Sequence, residues 1–165
     1  EGFPRTVGSG RDPGAVEGTE LSDFQPDNRI GLSAAGQIGN NVYNATGQGQ
    51  TVKLTLSGRK KTKSFFTVEN DGGIRDTIRL RSVAPNKKTL KGSVFRLTGG
   101  RANVSAQVFG TGLALGDLNP GAALAFQADW SRKSATLKAK QTLQITASSD
   151  IALKSDVVGA KVGSK

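Results

Sequence analysis

The chain has 165 residues, contains no Cys, His or Met, and carries a formal net charge of +10 from 23 Lys and Arg against 13 Asp and Glu. Without Cys it has no disulfide framework and no thiolate nucleophile, and without His it has no Ser-His-Asp triad and no imidazole metal ligand. These absences argue against a hydrolase, a metalloenzyme or a redox protein. The length suits one domain with a real hydrophobic core, and no segment approaches the roughly 18 apolar residues of a membrane span.

The first 27 residues differ in charge from the rest of the chain. They hold two basic and six acidic side chains, a net charge of −4, whereas residues 28–165 hold 21 basic and 7 acidic side chains, a net charge of +14. Their Gly and Pro content and lack of periodicity predict an irregular N-terminal arm, residues 1–27, before a basic domain, residues 28–165. The charge contrast predicts that the arm docks on a basic surface, its own or that of a neighbouring copy.

From residue 28 onward the apolar residues alternate as they do in β-strands. Residues 51–56 are the clearest case, because Val52, Leu54 and Leu56 share one face. The predicted strands are residues 51–56, 63–68, 76–81, 94–97, 104–109, 122–130, 143–147 and 156–162, separated by turn residues such as 70–73, 98–100 and 119–121. No segment predicts a helix. The pattern predicts an all-β fold, an antiparallel immunoglobulin-like β-sandwich of seven or more strands.

Several motifs follow one another in this predicted domain. They are Asp27–Gly31 (DNRIG), Gly39–Thr51 (GNNVYNATGQGQT), Val68–Leu80 (VENDGGIRDTIRL), Leu118–Gly121 (LNPG) and Asp156–Val162 (DVVGAKV). Their order resembles that of immunoglobulin-like modules that recur, often in tandem, in large secreted and surface proteins of environmental bacteria. The resemblance covers residues 28–163. It implies the sandwich fold and an extracellular setting, and it implies no catalytic residue.

The same motifs predict local structure from their chemistry. Asn70–Gly73 should end a strand in residues that tolerate positive φ, and Asp76 should accept hydrogen bonds from backbone N–H groups of the returning turn. Leu118 should lie in the core ahead of a tight turn at Pro120–Gly121. Tyr43 should bury its ring and donate its hydroxyl hydrogen to a backbone carbonyl, as in a tyrosine corner.

Basic clusters at residues 59–63, 87–91 and 132–140 suggest nucleic-acid binding as one function. Proteins that bind RNA or single strands interleave bases with exposed aromatic side chains. This chain has seven Phe, one Tyr and one Trp, and most of them occupy predicted inward positions. The clusters lie in predicted turns, where charge is ordinarily solvated and protects sheet edges from pairing. We therefore predict no nucleic-acid partner and keep an anionic surface polymer as a candidate partner.

Metal binding and catalysis find little support in the sequence. Acidic residues near predicted turns are Asp71, Asp76, Asp117, Asp129, Asp150 and Asp156. They form no D-x-D-x-D-G calcium loop, and turn capping is the simpler role for them. The glycines at 99–100 and 110–112 are not followed by the Lys-Ser/Thr of a phosphate-binding loop. We predict no metal, no other cofactor, no catalytic residue and no enzymatic activity.

Self-assembly accounts for the acidic arm, the basic domain and the absence of catalytic chemistry together. A head-to-tail contact that does not close builds a filament, and an extended arm can add a strand to a neighbour's open sheet edge. We therefore expect a structural subunit of a bacterial surface filament or appendage, an exported extracellular chain whose mature form begins at Glu1. The alternative is a secreted adhesion module that recognises anionic surface polysaccharide. The predicted subunit contacts are the apolar residues of the arm, Phe3, Val7, Val16, Leu21 and Phe24.

Overall fold

Two packed β-sheets make up the protein in a computed structural model that describes residues 23–164. The elements in this range are β1 (Pro26–Gly31), β2 (Gln37–Ile38), β3 (Thr51–Leu56), β4 (Thr62–Asn70), β5 (Asp76–Ser82), β6 (Leu90–Arg96), β7 (Ala102–Asn103), α1 (Ser105–Val108), β8 (Leu113–Leu118), β9 (Ala123–Arg132), β10 (Lys140–Ser149) and β11 (Ser155–Ser164). Strand β1 begins two residues before the predicted domain start at residue 28.

The strand order gives the two sheets an immunoglobulin-like arrangement. Sheet A has the order β2-β1-β4-β9-β6-β7, and sheet B has the order β3-β11-β10-β5-β8. Neighbouring strands are antiparallel except β3 and β11, which run parallel. The chain therefore begins with β1 in sheet A and crosses to β3 in sheet B. There β3 pairs with β11, the last strand of the chain. The predicted immunoglobulin-like β-sandwich is confirmed, with this one parallel pair added.

The core fills the space between the sheets with side chains that alternate along each strand. Phe66 and Phe126 stack with ring centroids 5.1 Å apart and an interplanar angle of 7°. Trp130 is fully buried, and its indole Nε1 donates to Ser64 Oγ at 3.0 Å, so its polar atom has a partner within the core. The predicted inward residues of 51–56 are confirmed for Leu54 and Leu56, which are 2% and 0% exposed.

The prediction of a strand at residues 104–109 is wrong. Residues Ser105–Val108 form α1, and Val108 N donates to Val104 O at 3.0 Å. Val104 and Val108 are both buried, and a separation of four residues puts two side chains on one helical face. Six residues are too few for the apolar pattern to distinguish a helical turn from a strand.

The two predicted turns differ in backbone conformation. The turn at Pro120–Gly121 is confirmed, because Ala122 N donates to Asn119 O at 2.9 Å and Gly121 has φ of 73°. At Asn70–Gly73 strand β4 ends as predicted, and none of these residues uses the positive φ that they tolerate. Gly72 is required there for another reason: a Cβ at this position would collide with the carbonyl oxygen of Asp23.

Candidate functional site

The motif residues meet at one end of the sandwich, between the sheets. Asp156, at the start of β11, holds this end together because its carboxylate accepts four hydrogen bonds. Oδ2 accepts from Asn28 N at 2.8 Å. Oδ1 accepts from Asn44 N at 3.0 Å, Gln50 Nε2 at 2.8 Å and Val157 N at 3.0 Å. A carboxylate that is fully buried and held by four fixed donors acts as a structural tie between segments distant in the sequence.

Asn70 plays the same structural part at the turn between β4 and β5. Its Nδ2 donates to Ile74 O and to Leu118 O, each at 2.8 Å, and its Oδ1 accepts from Gly72 N at 3.0 Å. The side chain therefore joins the turn to the end of β8. We call the buried residues Asn28, Gln50, Asn70, Asp76, Ser149 and Asp156 the polar end of the sandwich.

Asp76 lies in the polar end beside the turn between β10 and β11. Its Oδ1 accepts the Ser149 hydroxyl hydrogen at 3.0 Å. Burial raises the pKa of Asp76, and the hydrogen bonds from Ser149 and from the Thr77 backbone oppose that rise. The backbone group beside this carboxylate is that of Thr77 in β5 itself, in place of the predicted groups of the returning turn, and the Ser149 hydroxyl contact is one that the sequence did not indicate.

Asp27 is the least satisfied group near the polar end. Its side chain is buried, and neither carboxylate oxygen has a hydrogen-bond partner within residues 23–164. Burial first, and then the nearby charge of Asp156, raise the pKa of Asp27 to about 6, and Asp71 adds to the rise. The Asn41 backbone amide and the Arg29 guanidinium, whose Nε lies 4.0 Å from Oδ2, oppose the rise without a hydrogen bond of good geometry.

The predicted tyrosine corner is wrong. Tyr43 is 44% exposed, and its hydroxyl donates to Asp71 Oδ2 at 2.5 Å instead of to a backbone carbonyl. A second contact joins the hydroxyl to Asn41 Oδ1 at 3.2 Å. Burial and the adjacent Asp71 carboxylate raise the pKa of Tyr43. The loop that carries Tyr43 is too far toward the surface for the ring to enter the core.

The residues just before β1, Asp23–Gln25, form the root of the arm and are fixed to the polar end. Gly73 N donates to Asp23 O at 2.9 Å, and Asp71 N donates to Gln25 O at 2.8 Å. Phe24 is only 3% exposed, so the domain itself buries this predicted contact residue. The other predicted contact residues, Phe3, Val7, Val16 and Leu21, lie outside the described residues.

The outer face of sheet B carries a row of like charges. Lys53 on the edge strand β3 is opposite Lys161 on β11, which in turn is opposite Thr142 on β10. All three side chains are exposed. Like charges directly opposite each other on a sheet destabilise it, and neither lysine has an ion-pair partner among residues 23–164.

A second row lies beside the first, toward the end of β11. It consists of Lys140, Gly163 and Thr55, which are opposite one another on β10, β11 and β3. Because Gly163 has no side chain, a depression of about 610 Å³ lies among the three lysines. We call the two rows, Lys53, Thr55, Lys140, Thr142, Lys161 and Gly163, the basic groove.

Among the basic clusters visible in the sequence, Lys140 contributes to the groove, and other members have different roles or positions. Arg132 is 9% exposed and donates from Nε to Gly58 O at 2.8 Å, so it braces a loop. Lys61 lies 4.0 Å from Asp129 Oδ2 at the outer face of sheet A. The pairing of Lys53 with Lys161 was missed because only the parallel contact between distant segments creates it.

Catalytic and metal-binding geometry is not found in the part of the chain that the structure describes. Within it, no three Asp or Glu side chains are grouped to hold a metal ion. The ionisable groups of the polar end are either saturated by hydrogen bonds or closed off from solvent. Within the same range, no helix is long and apolar enough to cross a membrane.

Neither a protein-family model nor a curated protein sequence matches this chain. Among solved structures, the N-terminal domain of PorA is similar with a TM-score of 0.48 and 12% identity over 86% of this chain and 98% of that one. PapD-like domain 7 of human CEP192 has a TM-score of 0.46 and 11% identity over 99% and 98% of the two chains. A family 123 glycoside hydrolase from Clostridium perfringens has a TM-score of 0.48 and 9% identity, with 84% of this chain covering 27% of that one. Similarities at this level carry no information about what this chain binds or does.

Proposed function

We propose that this protein is a non-enzymatic structural subunit of an extracellular bacterial surface filament, assembled head-to-tail through the arm at residues 1–27. The observation that carries the proposal is the fixed root of the arm. Because Asp23–Gln25 are hydrogen-bonded to the turn at residues 71–73, the root of the arm is fixed at one defined end of the sandwich. A contact made by the residues before Asp23 therefore starts from the same place in every copy of the chain.

Charge supports the same proposal. Residues 1–22, before the root, have a net charge of −2 and residues 23–165 a net charge of +12, so copies of the chain attract one another when arm meets domain. At about 3.3 Å per residue, 22 extended residues span on the order of 70 Å, which exceeds the length of one sandwich. A contact between unlike surfaces of two copies does not close on itself and continues as a chain of subunits.

The extracellular bacterial setting of the proposal comes from the order of the sequence motifs. That order resembles modules of secreted and surface proteins of environmental bacteria, and the absence of Cys, His and Met suits a durable subunit without chemistry. The surface of the arm that contacts the neighbour is then formed by Phe3, Val7, Val16 and Leu21. Phe24 instead anchors the root of the arm in its own domain.

Sedimentation of the full chain and of a shortened chain tests this function. The deletion should remove residues 1–22 and keep Asp23, because Phe24 and β1 belong to the folded domain. We expect the full chain to form a concentration-dependent ladder of oligomers at micromolar concentration, and the shortened chain to remain folded and monomeric. A full chain that is monomeric over this range contradicts the proposal.

A second function, binding of anionic surface polysaccharide, is favoured by the exposed and unpaired lysines of the basic groove. Carboxylate or sulfate groups along a glycan would interact with Lys53, Lys140 and Lys161, and such an attraction must weaken as salt is added. Binding of an acidic glycan such as polygalacturonate, compared with neutral dextran at graded salt, tests this function. Equal retention of both glycans, or retention independent of salt, contradicts it.

A further inference from the structure

The basic groove and the root of the arm lie at opposite ends of the sandwich. Lys154, just before β11, donates from Nζ to Gln25 Oε1 of the root at 3.5 Å. Lys161, in the groove, lies seven residues further along. At about 3.3 Å per residue of strand, the groove is therefore about 23 Å from the root along the sheet. A chain whose arm begins at one end and whose receiving surface lies at the other end has the geometry of a head-to-tail contact.

The groove has lysine side chains, and beside it backbone groups of β3, that have no partner within residues 23–164. Lys53 and Lys161 are neighbours on adjacent strands and have no ion-pair partner within residues 23–164, so an incoming carboxylate would relieve their mutual repulsion. The empty volume over Gly163 gives such a group room: a Cβ placed there would meet no atom within 4 Å.

The groove also borders the open edge of sheet B. Gly159 N donates to Gln50 O, so the carbonyl of Gln50 points toward β11. Because backbone groups alternate in direction along a strand, the N–H and C=O groups of Thr51, Lys53 and Thr55 point away from β11. The carbonyl of Thr55 accepts the Thr62 hydroxyl hydrogen at 3.2 Å. Thr51 and Lys53 leave their N–H and C=O groups available to an added extended segment, which is how an edge strand binds a peptide.

We propose that the basic groove is the acceptor for the acidic segment Asp12–Glu20 of the arm of a neighbouring copy. The proposal rests on the proposed filament function and identifies its receiving surface. Three carboxylates, Asp12, Glu17 and Glu20, equal the three lysines of the groove in number and are opposite to them in charge. Backbone groups of the same segment bond to the open edge of β3 at single positions and not as a regular strand, because strand alternation would turn Glu17 to the face opposite Asp12 and Glu20.

Chain length prevents the whole acidic segment from lying in the groove of its own molecule. Glu20 lies three residues before Asp23, so at about 3.3 Å per residue it stays within about 10 Å of the root, and Glu17 stays within about 20 Å. The groove of the same molecule is about 23 Å away along the sheet, and a real path around the end of the sandwich is longer. Only a neighbour placed end to end presents its groove to all three carboxylates.

Cross-linking of mixed full-length chains tests the contact directly. Equal amounts of isotope-labelled and unlabelled protein are joined by a carbodiimide, which couples carboxylates to amines at zero length, and the linked peptides are identified by mass. We expect links from Glu17 or Glu20 to Lys53, Lys140 or Lys161 that contain one labelled and one unlabelled peptide. Links confined to a single chain, or links of the arm to other lysines, overturn the proposal.

Charge reversal provides the energetic test on the full chain. Lys53→Glu with Lys161→Glu should weaken association at least about tenfold, as loss of complementary charges does at interfaces. The matched control, Lys87→Glu with Lys88→Glu in the exposed loop before β6, changes net charge equally and should leave association within about twofold of the original. Reversal of the arm, Glu17→Lys with Glu20→Lys, should restore association to the Lys53/Lys161 variant.

The steric test uses the open position in the groove. Gly163→Glu places a like-charged side chain where the carboxylates bind and should weaken association, whereas Gly163→Ala should leave it nearly unchanged. If the original chain assembles and the groove variants assemble equally well, the acceptor is wrong and the filament function stands. If the original chain never assembles, the filament function fails with it.

Discussion

At the scale of single residues, the burial of Asp27 makes the stability of the fold depend on pH. Its carboxyl is closed off from solvent and unpartnered, and its pKa is about 6, above the ordinary 3.8. As the pH rises from about 4 to about 6, the unfolded chain releases this proton while the folded chain keeps it. The folded state is then the one that binds more protons, so the free energy of unfolding falls through this window and stays lower above it.

The Asp27→Asn variant should remove this pH dependence. We expect the original protein to lose roughly 2–3 kcal/mol of stability between pH 4 and pH 8 through this group, and the variant to lose correspondingly less. Asp76 contributes in the same direction in both proteins, since burial raises its pKa too. Urea unfolding at a series of pH values measures the difference. The exposed Asp117→Asn is the control, and parallel pH profiles for Asp27→Asn and the original would contradict the assignment.

Asp156 illustrates the opposite condition, a buried carboxylate with all its partners. Asp156→Ala leaves the N–H groups of Asn28 and Asn44 without their acceptor, and we expect it to cost about 3 kcal/mol or more of stability. Asp117→Ala removes a carboxylate that is 60% exposed and pairs with Arg75 at 3.8 Å, and should cost less than about 1 kcal/mol. Denaturant midpoints compare the two variants, and equal losses would mean that the polar end is not a structural tie.

At the scale of elements, the alternation of apolar and polar residues predicted the central strands. It did not predict the segments in which this alternation is weak. Strand β3 has the predicted bounds, residues 51–56, because its inward and outward residues differ sharply in polarity. The sequence did not predict β1 as a strand, because its buried positions include Pro26, Asp27 and Asn28, which are polar or strand-breaking types. These residues are buried because they lie at the polar end of the sandwich, where segments distant in the sequence cover them.

Strand β6 depends on a glycine for its contact with the core. A Cβ at Gly92 would lie 2.6 Å from Trp130 Cζ3 and 3.1 Å from Pro85 Cγ. We therefore expect Gly92→Ala to destabilise the protein by about 1–3 kcal/mol, because the crowded indole must move within a packed core. Gly73→Ala is the matched control, since a Cβ there meets nothing within 4 Å, and it should change stability by less than about 0.5 kcal/mol. Thermal unfolding followed by Trp130 fluorescence measures both, and an unchanged Gly92→Ala protein would refute the packing argument.

At the scale of the whole molecule, the proposed association depends on where the charges lie. The root of the arm is fixed at the polar end, and the lysines of the groove, which have no ion-pair partner within residues 23–164, lie at the other end. Electrostatic attraction between exposed groups is screened over about 10 Å at 0.1 M salt and about 3 Å at 1 M. Association of full-length chains should therefore depend on ionic strength.

We expect an increase in salt from 0.05 M to 0.5 M to weaken association of the original chain by about tenfold or more. The Lys53→Glu/Lys161→Glu variant should respond less, because the attraction that salt screens is already gone. Sedimentation velocity at several salt concentrations measures both proteins. Salt-independent assembly of the original chain would indicate an apolar contact in place of the charged one.

The sequence alone was sufficient for the all-β class, most strand positions, the Pro120–Gly121 turn and the contrast between arm and domain, because these depend on neighbouring residues. Tertiary structure decided the rest. Parallel pairing of β3 with β11 put Lys53 opposite Lys161, burial raised the pKa of Asp27, and close approach of Asp23 explained Gly72. Each of these depends on segments that are distant in the chain, and their proximity is fixed only when the two sheets pack.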